Sequence, residues 1–135
     1  MFFKMVIAML LLAPCNVNAG NDVETVIQSN IGDRMVIPGL KVSPGTIQRL
    51  AVQLINSDEY TAFQAELLFP KGISPVKKSN GGYCVSLSSR KTNHTISANV
   101  LSNGALKVAS FSMNNESLKG NSGDLFYIEI GRAHV

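Results

Sequence analysis

The sequence predicts an all-β fold, an antiparallel β-sandwich preceded by a short apolar export segment. Short runs rich in Val, Ile, Leu and Phe recur along the chain, each bounded by Gly, Pro, Asn or Ser. The clearest of them alternate apolar and polar residues with the period of two expected of a half-buried strand. No stretch keeps a helical period long enough to compete. At 135 residues the chain has the usual size of one domain around one core.

The N-terminus divides into three zones. Met1–Lys4 carries one positive charge, Met5–Ala13 is apolar, and Val17-Asn18-Ala19 supplies the small residues of a cleavage signature. We read residues 1–19 as a helical signal peptide cut between Ala19 and Gly20. A membrane anchor is the first alternative, but nine apolar residues span only about 14 Å as a helix, short of a bilayer core. Lipidation of Cys15 is the second, and there Pro14 stands where a small residue normally lets the lipoprotein peptidase cut. No membrane span is expected. Because cleavage would leave Cys84 as the one cysteine, unable to form an internal disulfide, the secretion suits a bacterial export route to the cell surface or medium, with the periplasm as the other compartment. Residues 20–33 are polar apart from Val23, Val26, Ile27 and Ile31, and read as a leader or loose N-terminal arm.

The expected sandwich covers residues 34–128. Met35–Ile37 and Leu40–Val42 make an opening strand broken by Pro38, which suits an edge. Ser43-Pro44-Gly45-Thr46 turns the chain. Across Ile47–Asn56, Leu50, Val52 and Leu54 point one way and Arg49, Ala51 and Gln53 the other. Across Tyr60–Phe69, Thr61, Phe63, Ala65, Leu67 and Phe69 share the core side, opposite Gln64 and Glu66. A less regular stretch leads to Tyr83–Leu87. Asn103-Gly104 then predicts a tight hairpin between Thr95–Ser102 and Ala105–Ser112. A two-residue loop would pair Ile96 with Phe111 and place both in the core. Gly120–Gly123 precedes a final strand, Leu125–Ile128.

The seven residues 129–135, Glu-Ile-Gly-Arg-Ala-His-Val, match the in-frame translation of a common sequencing-library adapter. We read them as foreign, with a genuine tail that happens to share them as the alternative. The expectation is a fragment whose natural frame continues past Ile128, and His134 then carries no chemistry.

The order of these motifs resembles the cohesin-like modules of the cohesin and carbohydrate-binding-domain superfamily. The residues that carry it are Val42–Thr46, Glu59–Leu67, Phe69–Ile73, Arg90 with His94-Thr95-Ile96, and Gly120–Leu125. The resemblance implies a nine-stranded jelly roll that catalyses nothing and binds a dockerin-like protein module or polysaccharide. Such modules often stand at the front of larger surface proteins. The sequence departs from sugar-binding faces in having no Trp, leaving Tyr60, Tyr83 and Tyr127 as the polar-edged rings.

The chemistry-bearing residues are few. The 12 Lys and Arg against 9 Asp and Glu are dispersed, apart from Lys77-Lys78 and Arg90-Lys91, so no nucleic-acid partner is expected. With the tail set aside, His94 is the one histidine, and we read it as the first residue of a strand bonded to a nearby turn. Cys84 has no base near it in sequence and reads as a small buried hydrophobe. One His and one Cys cannot furnish a zinc site, and the acids do not cluster as a calcium loop. Gly120–Gly123 lacks the lysine of a phosphate loop. We expect no enzyme, cofactor or metal. The candidate binding surface is a polar sheet face holding Gln64, Glu66, Ser97 and Asn99. The competing readings are direct carbohydrate binding and a spacer with no ligand.

Overall fold

Period-two burial organises the strands Ile47–Ile55, Ala62–Leu67 and Leu106–Ser112. The structure is a computed structural model describing residues 33–133, with the backbone of Phe2–Ile7 and Thr25–Gln28. Among the described residues there are ten strands and no helix. They are β1 (Phe2–Ile7), β2 (Thr25–Gln28), β3 (Arg34–Ile37), β4 (Ile47–Ile55), β5 (Ala62–Leu67), β6 (Ile73–Pro75), β7 (Val85–Leu87), β8 (His94–Val100), β9 (Leu106–Ser112) and β10 (Asp124–Arg132).

Two sheets form an all-β sandwich. One runs β1-β5-β9-β8, the other β2-β3-β4-β10-β6 with β7 also on β10. Every pairing is antiparallel except β1 with β5. The expected alternation holds in β4, where Leu50, Val52 and Leu54 are buried, and in β5, where Phe63, Ala65 and Leu67 are buried. Thr61 and Phe69, expected in the same core row, lie beyond the strand ends and are only half-buried. Stacked rings of Phe63 and Phe126, 5.3 Å apart, join β5 to β10 through the middle of the core.

Two expectations are corrected, and a third falls mostly outside the described residues. Over residues 1–19, expected as a signal-peptide helix, only the backbone of Phe2–Ile7 is described; it is extended and pairs in parallel with β5. The rest of residues 1–19, with the Ala19–Gly20 junction, lies outside the described residues. The arm is not loose throughout: Thr25–Gln28 pairs with β3, and Asp33 is buried at its end. These two strands bring the number to ten, one more than the resemblance implies.

The second correction is the register of the β8–β9 hairpin. The Leu101 amide donates to Ala105 and the Gly104 amide to Leu101, so the loop contains Ser102, Asn103 and Gly104 rather than two residues. Gly104 has a φ of 88°, the left-handed residue that a three-residue hairpin loop requires. The extra residue moves the pairing by one position. Thr95, not Ile96, faces Phe111, and Leu106 and Val108 fill the core. Phe111 is turned outward.

The other turns follow their sequences. The Thr46 amide and hydroxyl both donate to the Ser43 carbonyl, with Gly45 at a φ of 74°. Glu129–Arg132, read as foreign, continue β10, and Ile130 is buried in step with Phe126 and Ile128. Backbone pairing is indifferent to side chains, and an Ile at this alternate position suits the core whatever its origin.

Candidate binding face

The register of β5, β9 and β8 builds three rungs on the outward side of their sheet. Gln64 and Ser97 flank Ala109; Glu66 and Asn99 flank Lys107; Ala62 and Thr95 flank Phe111. The four residues expected on a binding face are thus brought onto one surface. Ser97 and Asn99 are exposed there, and Gln64 and Glu66 half-buried. The third rung was missed by sequence reasoning. Phe111 is 51% exposed, and its neighbours in the rungs are small or polar. The available signal was Ser102 ahead of Asn103-Gly104, which allows the longer loop that turns Phe111 out. Met113, 73% exposed, follows just beyond the end of β9.

Opposite charges meet on this face, with Glu66 and Lys107 as cross-strand neighbours. The arrangement can place an apolar anchor within a polar surround. It holds no nucleophile and base in contact.

The outward side of the other sheet is organised differently. The Arg49 guanidinium lies 3.7 Å from the ring centre of Tyr127. The Tyr127 hydroxyl donates to Asp124 at 3.1 Å, and Gln53 donates to the other Asp124 oxygen at 3.2 Å. Burial and the Asp124 carboxylate raise the Tyr127 pKa, against a smaller opposing pull from Arg49. A shallow depression beside it is lined by Arg49, Lys78, Cys84, Ser86, Tyr127 and Glu129. Cys84 is half-buried rather than fully buried, and partial burial together with Glu129 raises its pKa, which keeps the thiol protonated and weakly nucleophilic.

Three of the buried polar groups, His94, Arg90 and Asp33, have structural partners. Thr92 donates its amide to His94 Nδ1, and His94 Nε2 lies 3.0 Å from the Thr61 carbonyl, the position of a donor. Nδ1 therefore serves the turn that starts β8, as expected, and Nε2 ties that turn to the residue before β5. Arg90 donates to the carbonyls of Leu54, Lys119 and Gly120 and to Asn56 Oδ1, and burial lowers its pKa. It joins the end of β4 to the glycine-rich loop. Asp33 accepts from Tyr60, from the amide and hydroxyl of Ser57, and from the Asp58 amide. Burial opposes its ionisation, but these donors outweigh burial and hold the pKa below the ordinary value of 3.8.

The tyrosines do not line one exposed surface. Tyr60 is buried, Tyr83 is half-buried near Lys77, and Tyr127 sits under Arg49 on the other sheet. Among the described residues, no three His, Cys, Asp or Glu side chains gather as metal ligands, and no helix is long and apolar enough to cross a membrane. Compared with family models, curated proteins and solved structures, the chain matches none of them.

Proposed function

We propose that this chain is an exported, non-catalytic binding module of the cohesin and carbohydrate-binding superfamily, part of a larger surface or polysaccharide-processing protein. It docks a protein partner on the outward face of β5, β9 and β8. The observation that carries this reading is the exposed Phe111 ring, beside Ala62 and Ala109 and bordered by Gln64, Glu66, Ser97, Asn99 and Lys107. An exposed aromatic anchor with a polar surround is the composition of a protein-docking patch. The dispersed tyrosines favour a protein partner over a polysaccharide, which stacks on aligned exposed rings.

A photo-cross-linking residue placed at position 111, and at the exposed Ile47 of the other sheet as a control, tests this reading in the producing culture. The expected result is one discrete protein adduct from position 111 and none from position 47. Retention on an insoluble polysaccharide without a protein adduct would replace docking with glycan binding. Neither adduct nor retention would leave a spacer with no ligand.

A further inference from the structure

We infer that the outer edge of β5 is a strand-acceptor site. In the precursor it is filled by the chain's own leader; after cleavage it takes an extended segment of the protein partner with apolar residues at alternate positions. This inference rests on the proposed export and docking roles.

The edge is long and regular. On one side β5 pairs with β9 over its whole length, from Ala62↔Phe111 to Leu67↔Leu106. On the other it pairs with β1 without a shift in register, from Phe2↔Ala62 to Ile7↔Leu67. A complete six-residue strand therefore fits there. Ala19 lies well beyond Ile7 in the chain, so cutting after it removes all of β1.

Removal leaves an edge whose one charged residue is Glu66. Natural edge strands are blunted by Lys, Pro or a bulge. The sequence Ala-Phe-Gln-Ala-Glu-Leu of β5 has no Lys or Pro, and its register with β9 is unbroken. Its inward residues Phe63, Ala65 and Leu67 are each 0% exposed, so the edge borders the core directly.

The register describes what fits. Phe3, Met5 and Ile7 hold the positions paired with Phe63, Ala65 and Leu67, so apolar residues recur at every second place. Lys4 is paired with Gln64, next but one to Glu66 along β5, so a basic residue is compatible there. The edge also continues the docking face, since Ala62 is the cross-strand neighbour of Phe111. A partner seated over Phe111 can thus extend one of its own strands onto β5. Main-chain hydrogen bonds supply affinity in such augmentation, and alternate side chains supply specificity.

The test uses the protein as exported, its N-terminus read by mass spectrometry. A peptide of residues 1–7 with a Lys-Lys tail is titrated in. Its controls are the same peptide with Asp at positions 3, 5 and 7, and a version N-methylated at alternate backbone amides. The expected result is saturable binding of the first peptide alone, with slowed hydrogen exchange confined to β5. At a hundredfold excess over its Kd, Tm should rise by at least about 5 °C. Equal binding of the N-methylated peptide, no binding, or self-association of the processed chain through β5 overturns the inference. An exported protein still beginning at Met1 instead overturns the export reading, and the mass spectrum reveals that before any titration.

Discussion

The Tyr60 hydroxyl donates to the Asp33 carboxylate, and both groups are buried where the chain enters the sandwich. Asp33 precedes β3, whereas Tyr60 precedes β5 in the other sheet, so one hydrogen bond ties the two layers. Ser57 and Asp58 complete the set of donors.

Replacing Asp33 by Ala strands these donors and should lower the unfolding free energy by about 3 kcal/mol, measured by urea denaturation. Tyr60→Phe removes one donor and should cost about 1.5 kcal/mol. No loss from Asp33→Ala would show that the clamp contributes nothing.

The same carboxyl gives a pH signature. Its native pKa lies below the unfolded value, so its stabilisation is complete well above pH 3.8 and fades as pH falls through the native pKa. The difference in Tm between the wild type and Asp33→Asn should be constant near neutrality and shrink below about pH 4. A difference that grows on acidification contradicts the assignment.

The hairpin register is tested by two truncations on β9. Phe111→Ala should change stability by less than about 0.5 kcal/mol, because the ring is outside. Leu106→Ala should cost about 3 kcal/mol, because that side chain is fully buried. The two-residue loop would make Phe111→Ala the costlier change. Amide-to-amide contacts seen by NMR should also pair Thr95 with Phe111.

Ser110 points inward from β9, and its buried hydroxyl has no hydrogen-bond partner among the described residues. Ser110→Ala should be neutral or stabilising by up to about 1 kcal/mol in thermal melts. Ser112→Ala should destabilise by about 1 kcal/mol, because that hydroxyl donates to Asn93 and receives the Glu116 amide. Equal losses at the two positions would contradict the difference between them.

Much of the sandwich was legible because burial imposes a period of two. Leu50, Val52, Leu54, Phe63, Ala65 and Leu67 lie inward as their spacing predicts. β9 was not legible on the same grounds. Leu106 and Val108 compete there with Ala109 and Phe111, and the inward row ends in Ser110 and Ser112, so hydrophobicity alone does not choose a face. The loop decides, through one left-handed glycine. The polar part of the candidate face survived this error because Gln64, Glu66, Ser97 and Asn99 lie on β5 and β8, whose own faces were read correctly. The Asp33 clamp and the Arg90 cage depend on partners at least 24 and 29 residues away, which local periodicity cannot reveal.

β10 lies between β4 and the short strands β6 and β7, yet every one of those neighbours precedes it in the chain. Until Asp124–Arg132 is available, β4 has a bare flank and β6 and β7 have nothing to pair with in their sheet. Closure of this layer is therefore a late, non-local event, with a slow entropic search before the stabilising contacts form. The portion that precedes it cannot complete this sheet, which is sealed by the arrival of a single interior strand.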